Sequence, residues 1–129
     1  MIAAYNSWRC VQARLKDDWI DLMSDDVVIQ DPIGVGPSNP TGQGFRGKSE
    51  AEKFWDLGPG AAESILIQTH RSHVSANQSA HVLTLRTRFP GGTLITVNGI
   101  FTYTVNDTGK LSALRGYWST DDMQVDKTA

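Results

Sequence analysis

The chain is poor in the features that mark the more specialised protein classes. It has one cysteine, Cys10, in 129 residues, so no internal disulfide can form and a reducing compartment suits it. No apolar run approaches the ~20 residues that cross a bilayer as a helix. The opening "MIAAYNSWRC" lacks the basic-then-apolar layout of an export signal. A net charge of only -2 gives no reason to expect nucleic acid or an anionic membrane as a partner. Repeats and low-complexity segments are missing too. The glycines of residues 34–47 are not followed by Lys-Ser/Thr in the register of a phosphate loop. These absences leave the expectation of a soluble cytoplasmic chain, one domain over 1–129, able to bury about two-thirds of its unfolded surface.

What is present comes in a clear order, helices first and strands after. Ala4, Tyr5, Trp8, Val11 and Leu15 recur at helical spacing and predict a helix over 3–16. Asp17 is placed to cap a second short helix carrying Trp19, Ile20, Leu22 and Met23. "SDD" at 24–26 is expected to break it, and Val27–Asp31 reads as a short strand. A third helix is expected at about 49–57, with Ser49 and Glu52 as a capping box and Phe54-Trp55 as its packing face. From residue 64 the period changes to two. "SILIQTHRSHV", "AHVLTLRTRF", "TLITVNGIFTYTV" and "KLSALRGYW" read as four strands separated by turn signals. Helices followed by long hairpins predict an α+β fold, with three helices on one face of a strongly curved antiparallel sheet closing a cone around a pocket.

One residue in this pattern raises a question of chemistry. Asp31 ends the β-prone run "VVIQDPIG" and precedes a proline, which biases it to extended backbone. Val27, Ile29 and Asp31 then share a face. The carboxylate is either the solvated end of a strand or a group aimed into a cavity. The histidines offer less. His70 and His73, three apart on a strand, fall on opposite faces, His81 stands alone, and a structural zinc usually wants four ligands, so no metal is expected. Cys10, on a packed helix, reads as inert. The Gly/Pro-rich segment 34–47 reads as a flexible flap over the pocket mouth.

The order of elements, with "DDVVIQDPIG", "FRGKSEAEKFW" and "GIFTYTVNDTGKLSALRGYW", resembles the nuclear transport factor 2-like (SnoaL-like) superfamily. Within it, the chain is most similar to the ketosteroid isomerase (steroid delta-isomerase) family, on an actinobacterial branch. The resemblance implies Asp31 as a general base that moves a proton between two carbons of a 3-oxo-Δ5 steroid, without cofactor, in a homodimer packed through the outer sheet face. It also implies two donors to the ketone oxygen, a tyrosine and an aspartic acid, and here the chain departs. Their places fall at Ser7, beside Trp8, and at Gly99. Ser7, Trp8, Tyr103 and Trp118 are candidate substitutes, and Gly99 would leave extra space. Phe54, Gly99, Phe101, Leu114, Gly116 and Trp118 are the expected ligand contacts, and Trp55 replaces a supporting tyrosine. Two further readings stay open, a non-catalytic steroid or polyketide binder and a polyketide cyclase with the same base. An epoxide hydrolase would need a carboxylate–arginine–carboxylate trio with no obvious counterpart.

Overall fold

The computed structural model describes residues 1–127; the last two residues of the expected 1–129 domain lie outside it. Helix α1 (Ile2–Ala13) buries Ala4, Ser7, Trp8 and Val11, a stripe at the i, i+3, i+4, i+7 spacing of one helical face. It stops three residues earlier than its periodicity predicts. Arg14 takes a left-handed backbone (φ 61), the Leu15 N–H closes on the Cys10 carbonyl, and the Arg14 guanidinium donates to the carbonyls of Pro59 and Gly60. Helix α2 (Lys16–Asp21) has Leu15, not Asp17, as its N-cap. Asp17 and Asp18 sit inside the first turn, where they favour the positive end of the helix dipole.

"SDD" does not end a helix. It belongs to strand β1 (Met23–Gln30), whose burial alternation slips at exposed Asp25 and Asp26 because the register against its neighbour shifts there. Such a bulge explains why a run of polar residues interrupts an otherwise buried strand. A two-residue strand β2 (Phe45–Arg46) precedes helix α3 (Gly47–Leu57). The predicted Ser49/Glu52 box is not used. Glu50 accepts the Arg46 N–H at 2.8 Å, and Glu52 instead faces Lys16 at 3.8 Å.

The four predicted strands appear as β3 (Ser64–Ser75), β4 (Gln78–Arg88), β5 (Thr93–Val105) and β6 (Leu111–Tyr117), joined by an unforeseen β7 (Met123–Lys127). They form one curved, unclosed sheet in the order β2-β1-β6-β5-β4-β3, antiparallel except for the β1–β6 pair. One edge of the long β5 is shared. Residues 100–105 pair with β6 and residues 93–97 with β7. Between these partners the chain leaves the sheet at Trp118. The helices pack on the concave face around Trp8, Trp19, Phe54 and Trp55, with Trp19 stacked on Phe54 at 6.1 Å and tilted on Trp55 at 5.3 Å. The α+β cone expected from the order of elements is the observed architecture.

Two of the three histidines, His70 and His81, have structural partners. His70 lies at the irregularity in β3, with its Nε2 2.7 Å from Thr84 Oγ1. His81 is fully buried between Trp8 and Tyr103. The Ser79 hydroxyl donates to the Met1 sulfur at 3.5 Å, so it accepts from His81 Nε2–H at 2.7 Å. Nδ1 then accepts the Ser72 hydroxyl at 2.6 Å. Burial, together with the N-terminal charge, disfavours a second ring proton and holds the pKa down to about 4.

Candidate active site

A cavity of about 170 Å³ lies between the helices and the concave face of the sheet. Its walls are the inward residues of the strands (Ile65, Ile67, Leu83, Leu85, Ile95, Val97), closed by Val11 of α1 and by Phe54 and Leu57 of α3. This is the period-two alternation of the strands turned to use. Among the described residues, two lining side chains are carboxylic or phenolic acids, Asp31 and Tyr103, and none is basic.

Asp31 stands just past the end of β1 and faces this cavity; the peptide to Pro32 is cis. Of the two readings open from the sequence, the solvated strand end is thereby set aside. The residue keeps a minor share of its surface, but its carboxyl group is enclosed. One oxygen, Oδ1, accepts the Trp118 indole N–H at 2.7 Å. Oδ2 has no hydrogen-bond partner among the described residues. Burial penalises the charged form and pushes the pKa from 3.8 to about 6, while the Trp118 bond pulls the other way. A carboxylate in this state is a usable base at neutral pH with one oxygen open to a ligand.

The neighbouring backbone is built to hold this arrangement. Gly116 lies beneath Asp31. A Cβ there would collide with Asp31 Oδ1 and come within 2.9 Å of Trp118 Nε1, so only glycine lets the carboxylate rest on β6. The Ile33 N–H bonds the Gly116 carbonyl at 2.9 Å, and the Ser38 hydroxyl donates to the Asp31 carbonyl. The loop after Asp31 is organised around the buried Asn39, which donates to the Pro32 carbonyl at 2.9 Å and accepts the Gly44 N–H at 3.0 Å. Gly36 and Asn39 exchange backbone bonds at 3.1 Å. The expected flexible flap is therefore a bonded loop, and Pro37 and Ser38 form part of the cavity wall.

The other predicted contacts divide into two groups. Phe54, Phe101, Leu114 and Trp118 line the cavity, as do Ser7, Trp8 and Tyr103. Gly99 and Gly116 are not lining residues; they lie under Trp118 and Asp31. The space expected at Gly99 is already filled, since a Cβ there would meet Trp118 Cβ at 3.0 Å and the Tyr117 carbonyl oxygen at 3.1 Å. Trp55 packs against Trp19 and Gly60 and does not line the cavity.

Each polar group of the cavity that bears on the missing donors is tied to an indole. Trp8 Nε1–H donates to the Tyr103 hydroxyl at 2.7 Å, Trp19 Nε1–H to the Ser7 hydroxyl at 3.1 Å, and Trp118 Nε1–H to Asp31. Two of the four candidate donors, Trp8 and Trp118, thus have their only N–H engaged by protein. Trp19 and Met123 were not foreseen as lining residues. The helical spacing of Trp19 was visible, but its direction depends on how α2 folds back. Met123 follows a turn whose capping box of Ser119 and Asp122 is readable only once β7 is known.

Comparison with known proteins agrees with this geometry. A Δ5-3-ketosteroid isomerase from Mycobacterium sp. is 41% identical, covering 97% of this chain and 96% of its own, with a TM-score of 0.92. Rv0760c from Mycobacterium tuberculosis, in complex with estradiol-17beta-hemisuccinate, is 42% identical over 95% of both chains at a TM-score of 0.90. A computationally designed 17-OHP binder is 38% identical over 97% of this chain and 96% of its own, at 0.92. Comparison by sequence with functionally curated proteins gave no match. The SnoaL-like domain pattern matches residues 3–114. The chain belongs to the SnoaL-like (nuclear transport factor 2-like) domain family.

Proposed function

We propose that the protein isomerises a 3-oxo-Δ5 steroid, or a ketone of similar shape, with Asp31 as general base. The observation that carries this reading is the single carboxylate of an apolar cavity, raised to about 6 and open at one oxygen. Asp31 takes the proton from the carbon between the ketone and the double bond. The C–H electrons form a new carbon–carbon double bond, and the carbonyl electrons move onto oxygen. The enolate then collapses, and the same carboxyl group returns the proton to the far carbon of the original double bond. The product is the conjugated enone, with no change in oxidation state and no cofactor in the balance. Similarity to a ketosteroid isomerase at 41% identity supports the reaction class, and the apolar walls suit a fused-ring ligand.

A second reading, a non-catalytic steroid or polyketide binder, is favoured by Ser7 and Gly99 standing where the family has its oxygen donors. Cyclisation of a polyketide with the same base is the third. The cytoplasm is the proposed location, supported by the lone buried cysteine; no helix among the described residues is long and apolar enough to cross a membrane. A homodimer through the outer sheet face is supported by the exposed Leu66, Val82, Ile100 and Tyr117. The test of function is conversion of a Δ5-3-ketosteroid followed by enone absorbance. Asp31→Asn should lower turnover ~10²–10⁴-fold while steroid binding survives. Unchanged turnover in that variant sinks the assignment, and wild-type binding without turnover selects the binder.

A further inference from the structure

We infer that the Tyr103 hydroxyl is the donor that receives the ligand's oxygen, with Trp8 as the residue that positions it. The inference rests on the reading of the cavity as a ketone site. It starts from the hydrogen-bond inventory. A phenol has one proton to give and lone pairs to accept with. The Tyr103 oxygen accepts Trp8 Nε1–H at 2.7 Å, and it has no other partner among the described residues. Its own proton, like that of the Ser7 hydroxyl, belongs to a buried, cavity-lining group and has no acceptor among the described residues. An indole can only donate, so the bond to Trp8 cannot reverse. It fixes which side of the phenol oxygen faces the protein and turns the O–H toward the cavity.

The placement along the sheet suits that role. Asp31 rests over Gly116, which is paired with Phe101; Tyr103 is paired with Leu114, two residues further along β5. Two residues along β5 make an offset of roughly 7 Å between the backbone positions under base and donor. That lets one ligand meet a base at its ring carbons and a donor at its oxygen. Burial raises the Tyr103 pKa above the ordinary phenol value, the Trp8 bond opposes this and the Asp31 charge adds to it, so the phenol is protonated at neutral pH, where Asp31 is ionised. The other candidates are weaker. Trp8 and Trp118 have spent their single N–H. Ser7, tied to Trp19, offers an aliphatic hydroxyl on a helix, a poorer acid that can turn back to its own helix carbonyls. The pair of donors expected from the family is thus replaced by one phenol on a neighbouring strand.

Infrared difference spectroscopy of a bound 3-oxo-Δ4 steroid tests this without requiring turnover. In wild type the ligand's carbonyl stretch should move to lower frequency than in an apolar solvent. Tyr103→Phe should abolish that shift and lower kcat for the Δ5 ketone by ~10²–10³-fold, with binding changed far less. Ser7→Ala should keep the shift. If Tyr103→Phe does not fold because the Trp8 N–H is orphaned, the double variant Trp8→Phe/Tyr103→Phe removes both partners and should show the same unshifted carbonyl. A shift that persists in Tyr103→Phe, that vanishes in Ser7→Ala, or that is missing in wild type with ligand bound overturns Tyr103 alone. Absence of any steroid binding overturns both this inference and the ketone-site reading.

Discussion

Asp31→Asn takes a charge out of the cavity while leaving an oxygen to accept the Trp118 N–H, and the structure sets how stability responds. The enclosed carboxyl has its pKa moved from 3.8 to about 6, with burial the dominant cause. A folded state that holds a proton more tightly than the unfolded chain is stabilised by it below about pH 4 and loses that contribution as pH rises through 6. About two pKa units at ~1.4 kcal/mol each make the ionised carboxylate cost about 3 kcal/mol above pH 7. Asparagine does not titrate. The variant should therefore match wild type within about 1 kcal/mol at pH 4 and exceed it by about 3 kcal/mol at pH 8. For a domain of this length that is roughly 10 °C in Tm. Urea denaturation of both chains at pH 4, 6 and 8 measures the difference, and every other titrating group cancels in it. A wild type more stable than Asp31→Asn at pH 8, or a difference independent of pH, would refute the claim that the carboxylate is held against its own solvation.

Two other expectations concern the groups around the site. Gly116→Ala places a methyl on Asp31 Oδ1 and Trp118 Nε1; it should lower stability by about 1–3 kcal/mol and turnover by ~10²-fold through misplacement of the base, read by thermal melts and initial rates. His81 is neutral when folded, its pKa held down to about 4, so its contribution is present above pH 6.5 and is lost as pH falls through 4. Denaturation of Asp31→Asn between pH 7 and 4 should show that loss, and adding His81→Gln should reduce it.

The fold was legible because its signals are periodic and local. The strand runs 64–117 alternate apolar and polar residues, and their inward set is the observed wall of the cavity. The misread places are those where a tertiary partner decides. Arg14 ends α1 early because its side chain has carbonyls to reach at Pro59 and Gly60. "SDD" looks like a helix breaker, yet it is a bulge forced by pairing with β6. Asn39 sits in a glycine- and proline-rich stretch that reads as mobile, and only the folded chain reveals two backbone partners for its amide. The site was half visible. Asp31 in its Asp-Pro-Ile-Gly setting pointed to a base, and Trp118 to a wall. That each of three tryptophans would tie one cavity oxygen was not readable, because those partners lie 12, 87 and 95 residues apart in the chain. Gly99 shows the opposite error, since a missing side chain reads as space until a neighbour is seen to occupy it.

The most direct measurement is the pH dependence of kcat/KM for wild-type conversion of a Δ5-3-ketosteroid, which reports the ionisation of the free protein's base. If Asp31 is that base, activity rises with pH through an apparent pKa of about 6 and then stays level, because Tyr103 remains protonated above it. A profile that is flat across pH 5–8, or that rises near the ordinary carboxylate range of about 4, would contradict an enclosed Asp31 as the group that moves the proton.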